Sequence, residues 1–515
     1  MYKKKDYIAT GFAIYPSVKL QTLEVDSKTG EYKLSYNKEL LFGDYIGAYK
    51  KDGGYDSVWI GEGDEKVEYI GVRCRNADGY IRREEMQFER PLEVNFIDVG
   101  QGDGCHIVTP DDEHFLIDAG QSDNMFRFLR WRFCLKKSST PPPPFTVVIS
   151  HPDSDHYQGF NYIFDTPSDY AQQFSFNAVY HNGMMEAKTI ATGKDDTVTA
   201  KDKLRSLGTL LEPKGRAYNK YITDLCDTDE DYKARVESVG SGEYMKTVAK
   251  APKDVPRLSL RKGDTLYEKG NLKMEILGPV PEVIDGKDAL PVFSSDKGKT
   301  KNGHSVVIRL TMGKLKILLG GDLNTESEYH LLQHYSGGID VAFLKKKLKT
   351  KSLSKTLRAQ YEEELEKAVQ LARGALQVDI AKSCHHGSAD FSSEFLRALN
   401  PIATVISSGD EESFVHPRPD TLGTIGKHSR GERPLIFSTE LARSGKEFLD
   451  LTKITDFDQQ RERVVTVYGM INVRTDGERA IIAQKRESPA AQSGWDIHRL
   501  QWDKDKKEFV AILDQ

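Results

Sequence analysis

Cysteine is scarce here: Cys74, Cys105, Cys134, Cys226 and Cys384 are the only five in 515 residues. Their number is odd, no pair forms a CxxC, and their spacing has no framework pattern. This excludes a secreted disulfide scaffold and leads us to expect reduced thiols in a cytoplasm. Long apolar runs are missing as well. No stretch approaches the ~20 apolar residues of a membrane-spanning helix. The apolar segment at residues 8–15 is short, is broken by Gly11 and lacks a convincing cleavage site behind Met1-Tyr2-Lys3-Lys4-Lys5. The expectation is a soluble, cytoplasmic chain with no membrane attachment. Charge of one sign is also lacking. The net charge is −5, so any nucleic-acid binding has to come from local patches. There is no internal repeat, and the only biased tract is the proline run at 141–144.

The composition that remains, 38% hydrophobic and 29% charged, allows a packed core almost anywhere along the chain. The length calls for several domains or one large core with insertions. Residues 1–90 carry short alternating runs rich in Tyr, Val, Ile and Gly, which predicts a small β-rich N-terminal domain. From residue 91 the pattern changes to apolar strands (94–99, 105–109, 114–118, 145–150) and a helix over 123–137, with Phe126, Leu129 and Phe133 at helical spacing. Polar, helical segments near 185–256 and 323–376 read as insertions. The second joins a basic half to an acidic half, as a solvated helical hairpin would. Further strands are predicted at 272–277, 305–310, 316–319, 378–382, 403–407 and 435–438. Residues 464–473 and 480–484 flank a hairpin turn at Arg474-Thr475-Asp476-Gly477. The core is bounded at 91–486 and is followed by a C-terminal tail, 487–515.

The segment that carries chemistry is Ser150-His151-Pro152-Asp153-Ser154-Asp155-His156, directly after an apolar strand. A loop leaving a fixed strand end can turn alternate side chains to different sides of one cavity. It can therefore offer His151 and Asp153 to one divalent ion, and Asp155 and His156 to a neighbour. The competing reading is a polar loop whose aspartates cap the next helix. Two more strand ends weigh against it. Leu318-Leu319-Gly320-Gly321-Asp322 ends in a carboxylate with two oxygens to bridge a metal pair, and Cys384-His385-His386-Gly387-Ser388 follows a third strand.

Taken together, Asp98-Val-Gly-Gln-Gly-Asp103, Leu116-Ile-Asp-Ala-Gly120, His151-Pro-Asp-Ser-Asp-His156, Leu319-Gly-Gly-Asp322, His385-His-Gly-Ser388 and His416-Pro417 resemble the metallo-β-lactamase superfamily. Within it they are most similar to the soluble hydrolase domain of ComEC-type DNA-uptake proteins. The likeness spans about 91–440. It implies an α/β fold, the αββα sandwich of that superfamily, here with helical insertions. It implies that two divalent ions, manganese or zinc, are held by His151, Asp153, Asp155, His156 and a bridging Asp322. One of His385 and His386 completes the second metal site. We assign His385 to the metal and His386 to catalysis, with their order left open. Asp155 is expected to serve catalysis as well as ligation. Asp103 and Asp118 would orient ligands, and His416 would contact substrate or protonate the leaving group. The chain departs from the superfamily where Asp153 replaces a commoner histidine, and where Asn302-Gly303-His304 replaces the middle histidine motif. His304 is therefore expected beside the site rather than as a ligand. The membrane channel that accompanies the ComEC domain is absent.

The reaction class implied is metal-assisted hydrolysis by a hydroxide held between the ions. The expected substrate is a phosphodiester, in DNA or RNA, with Arg127, Arg130, Arg132, Lys136 and Lys137 on the 123–137 helix as phosphate contacts near Trp131. An ordinary amphipathic helix with a wet basic face is the alternative for that segment. Two other functions stand beside nuclease activity. One is hydrolysis of a small phosphodiester or other small ester. The other is a metal-binding regulatory protein, with the N-terminal domain as a candidate surface for a protein partner.

Overall fold

The strands Leu92–Phe96 and Phe145–Val148 bury nearly every residue, as strands covered on both faces do. A computed structural model describes residues 7–512 apart from 29–30, 62–64, 76, 137, 139, 167–169, 171, 185, 189–204, 208–220, 223–224, 240–242, 285, 295, 410–414, 440–469 and 491–492. It shows a mixed α/β protein with several sheets.

Residues 7–87 form an N-terminal, largely antiparallel sheet with its own core around Leu20, Leu40, Ile46, Ile70 and Val72. Two larger sheets follow. The first runs, edge to edge, through Arg257–Ser259, Phe176–His181, Phe145–Val148, His114–Ala119, Gly104–Val108, Leu92–Phe96, Ile471–Thr475, Arg479–Ala490, Ser493–Asp503 and Glu508–Ile512. The second runs through Thr265–Lys269, Leu272–Gly278, Val307–Met312, Leu315–Leu319, Ile380–Lys382, Ala403–Ile406 and Leu435–Ser438.

The two-residue period of the strands divides their side chains between layers. Phe115 and Ile117 face Ile308, Leu310, Ile317 and Leu319 in a core shared by both sheets. Leu116 and Ala119 turn the other way, toward Met125, Phe128 and Tyr157. On the far side Val307 and Leu318 meet Leu332, Val341, Leu365, Val369 and Phe395. Helices thus cover the outer face of each sheet. The helices Thr325–Tyr335, Val341–Leu348 and Lys355–Leu376 are this outer layer. The solvated hairpin expected at 323–376 is therefore a packed element, because Leu365, Ala368, Val369, Ala372 and Leu376 make one buried stripe.

The expected tail from 487 also differs. Arg479–Ala490 continues past it, and Ser493–Asp503 and Glu508–Ile512 extend the first sheet by antiparallel pairing. Of the insertion near 185–256, most of 189–220 lies outside the described residues; the helices Asp229–Val239 and Glu243–Ala249 lie within them. Residues 464–469 of the predicted hairpin also lie outside, while Ile471–Thr475 pairs with Arg479–Ala490 as a hairpin should.

Four parallel strands of the first sheet and four of the second deliver their carboxyl ends to one side. Loops leaving such ends are the usual place for a site in an α/β protein.

Candidate metal centre

The strand His114–Ala119 runs parallel to Phe145–Val148, and this register sets the loop that follows. Asp118 accepts hydrogen bonds from the Ser150 backbone N–H and hydroxyl, both at 2.7 Å. Its Oδ2 also lies 2.8 Å from His156 Nδ1. That contact fixes the ring so that Nε2 points into the cavity, the orientation a carboxylate gives a metal-binding imidazole. The short helix Ser154–Tyr157 brings His156 back under His151, with ring centroids 4.1 Å apart.

Gly320 and Gly321 carry the strand Leu315–Leu319 to Asp322. Gly321 has φ +56°, and a Cβ there would press on Ser305. The Asp322 N–H donates to Ser305 Oγ at 2.9 Å. Asp322 Oδ1 then lies 3.3 Å from His156 Nε2, and its Oδ2 lies 3.2 Å from His386 Nε2. His386 is held through Nδ1 by the Ser407 carbonyl at 3.0 Å and by Asp103 Oδ1 at 3.2 Å. Asp103 is in turn paired with the buried Lys382 ammonium. Asp155 Oδ2 is 3.5 Å from His386 Nε2.

His151 Nε2, His156 Nε2, His386 Nε2 and Asp322 Oδ1 are all buried, and none has a hydrogen-bond partner. Buried polar atoms are normally satisfied, and four that converge form a donor set that a bound cation would satisfy. The donor trios His151–His156–Asp322, Asp155–His156–His386 and Asp103–Asp322–His386 each fall within 4.8 Å. Imidazole nitrogen with carboxylate oxygen suits a divalent transition ion, and these residues fit one.

Electrostatics point the same way. Burial opposes charge on His156 and His386. The Asp322 carboxylate nevertheless lifts both well above the usual histidine range, helped by Asp118 at one and Asp103 at the other. Burial likewise opposes charge on Asp322, but the surrounding imidazoles hold its carboxyl well below the ordinary value. Without metal, protons take the cation's place, and metal binding would release them.

The other expected residues sit as follows. His385 stands at the rim, its side chain 26% exposed and its Nε2 4.0 Å from Asp322 Oδ2, outside every donor trio. The structure thus brings His386 rather than His385 into the cluster. Both residues adopt left-handed backbone, φ 48° and 53°, which turns the second ring inward. Asp153 lies outside the trios and is paired with Lys301. His304 is buried away from the cavity, stacked on Phe293 at 4.5 Å and donating from Nε2 to the Pro291 carbonyl at 2.7 Å. Burial pushes its pKa down to about 3.

His416 faces His385 and His386, with centroids 5.9 and 6.4 Å away. Burial and the neighbouring imidazoles lower its pKa to about 4. It is therefore neutral near pH 7, suited to donating a hydrogen bond to substrate rather than a proton. Arg127 is buried, held by Asp123 at 2.9 Å and by Asn124, and Arg130 donates to Tyr170 Oη at 2.7 Å. The helix Asn124–Arg132 buries the Arg127 face and presents no exposed basic track. Lys137 lies outside the described residues.

Sequence reasoning missed Lys301, Asn302, Lys382 and Arg418. Arg418 is exposed beside His416 and forms no ion pair among the described residues. Its only signal was its place in the His416-Pro417-Arg418 loop.

The sequence matches no family model and no curated protein. Among solved structures, the chain is similar to a metal-dependent hydrolase of the β-lactamase superfamily, at 10% identity over 67% of this chain and 95% of that one, with a TM-score of 0.29. It is similar to a putative metal-dependent hydrolase from Parabacteroides distasonis at 9% identity, over 74% and 97% of the two chains, with a TM-score of 0.27. It is also similar to a β-lactamase domain protein from Burkholderia ambifaria at 13% identity, over 62% and 76%, with a TM-score of 0.19. With overlap this low, function has to be read from the chain's own residues.

Proposed function

We propose that this chain is a metal-dependent hydrolase of phosphodiester bonds. The observation that carries the reading is the convergence, in a buried pocket, of three imidazole nitrogens and one carboxylate oxygen that have no hydrogen-bond partner. His151, Asp155, His156, Asp322 and His386 would hold the ion, which when bound supplies Lewis acidity and a more acidic water. Asp118 and Asp103 keep the His156 and His386 rings aimed inward. His385 and His416 line the mouth as neutral hydrogen-bond donors, and the Arg418 guanidinium offers charge for an anionic phosphoryl group. That rim favours a charged ester over a neutral one.

Nucleic-acid cleavage is the first reading of the substrate, on the resemblance to ComEC-type domains. Hydrolysis of a small phosphodiester is the second. It is favoured by the inward engagement of Arg127 and Arg130, since a polymer needs a basic track to follow.

Turnover measured side by side on single-stranded DNA, duplex DNA, RNA and a chromogenic phosphodiester, with manganese or zinc and with chelator, tests both. Chelator-sensitive cleavage of the polymers supports the nuclease. Cleavage of the small diester alone supports the second reading. No turnover on any of them rejects phosphodiester hydrolysis.

A further inference from the structure

The place where the sequence predicts a first metal ion is already occupied by a cation of the protein itself. Asp153 Oδ1 is ion-paired with Lys301 Nζ. Asp153 Oδ2 lies 3.6 Å from His151 Nε2 and, with the Asn302 amide turned to donate, 2.7 Å from that nitrogen. Both oxygens are thus engaged. Neither Lys301 nor Asn302 swings freely. They end the helix Lys297–Gly303, whose following residue, His304, is pinned by Phe293 and the Pro291 carbonyl. The Asn302 carbonyl accepts from Ser305 Oγ at 2.7 Å, and that same hydroxyl accepts from the Asp322 N–H. The Lys301 side chain is only 14% exposed, so its ammonium has little water to retreat into.

Ligand arithmetic agrees. The trios His151–His156–Asp322 and Asp155–His156–His386 share His156. Its Nδ1 is committed to Asp118, and the single lone pair on Nε2 can serve one ion. Where that lone pair serves an ion at Asp155 and His386, a second ion beside His151 is left with that imidazole and a share of Asp322.

We propose that the centre is mononuclear, with the Lys301 ammonium standing in for the second metal ion by holding Asp153. This rests on the metal-hydrolase reading above and departs from the two ions expected from the sequence.

The test is manganese stoichiometry by equilibrium dialysis and elemental analysis on the full chain, joined to electron paramagnetic resonance of the bound ions. Wild type, Lys301→His and Lys301→Gln are compared, with thermal melting to confirm folding. Wild type should saturate at a single ion with the signal of an isolated Mn²⁺. Lys301→His should take up a second ion and show a spin-coupled pair; Lys301→Gln should do so at higher manganese. Two coupled ions in wild type would overturn the proposal, and so would a single ion in both folded variants. Manganese absent from all three proteins would instead defeat the metal-hydrolase reading itself.

Discussion

At the scale of single residues, the candidate ligand cluster was partly legible and partly hidden. His151, Asp155, His156 and Asp322 could be picked out because each lies within a few residues of an apolar strand end. The partner of Asp153 could not: Lys301 lies 148 residues away along the chain, and only tertiary structure joins them. Nor could sequence order His385 and His386, whose positions differ through backbone angles near φ 50°. The geometry now orders them. His386→Ala should lower metal affinity by about tenfold or more, whereas His385→Ala should keep the ion and raise KM. Calorimetric metal titration of both variants checks this, and equal loss of metal in the two would contradict it.

A second residue-scale expectation concerns stability. Glu328 is buried and accepts a hydrogen bond from the Ser392 N–H. Burial first, then Asp390 and Glu394, push its pKa up to about 8. Below the ordinary carboxylate value of 4.5, folded and unfolded chains both hold the proton. Between there and about 8 the folded chain retains a proton that the unfolded chain gives up, so this contribution to stability is lost as pH rises through that window. Glu328→Gln keeps an acceptor and removes the charge. It should melt like wild type at pH 4 and be more stable at pH 9, by a few kcal/mol at about 1.4 kcal/mol per unit. Melting curves that differ equally at both pH values would contradict this.

At the scale of elements, the strands of the two core sheets were readable because burial on both faces leaves apolar runs. The basic helix was misleading for a physical reason: a 3.6-residue period shows that a helix has two faces but not which neighbour covers each. Tyr170 and Phe174, far along the chain, close over Phe126, and Tyr170 engages Arg130. The outer helices at 325–376 were misjudged in the same way, since their charged faces mask a buried stripe of Leu and Ala.

The loop Gly100-Gln-Gly102 deserves a test as an element that positions the ligands. Gly102 has φ +105°, its carbonyl accepts from Ser407 Oγ at 2.9 Å, and a Cβ on it would overlap the Asp155 carbonyl. Gly102→Ala must therefore displace either its own loop or the Asp155 loop. We expect a stability loss of about 1–3 kcal/mol, typical of overpacking, together with weaker metal binding. Thermal melting with and without manganese measures both, and an unchanged metal-induced shift in Tm would contradict the positioning role.

At the scale of the whole molecule, the N-terminal sheet is tied to the two core sheets by a buried cation that composition could not reveal. Arg474, in the first core sheet, donates to the Phe42 carbonyl at 2.9 Å and pairs with Asp44 at 3.2 Å and Glu93 at 3.5 Å. Leu41 and Phe42 pack on Ile481 and Ala483 beside it. The strands beyond residue 487 complete the sheet carrying that contact, so the segment expected to be a tail helps to seat the first domain. Domain limits drawn from composition alone missed this because alternating polar strands such as Ser493–Asp503 look like linker until their partners are known.

The whole assembly brings strand ends from both sheets to one buried cluster, which we propose hydrolyses phosphodiesters through a bound ion. The most direct measurement is turnover of a chromogenic phosphodiester by metal-stripped protein, by protein reloaded with manganese, and by a reloaded, folded Asp322→Asn variant. Turnover should be absent without metal, return on reloading, and fall by at least about a hundredfold in Asp322→Asn. Equal turnover by stripped and reloaded protein, or full activity in Asp322→Asn, would contradict it.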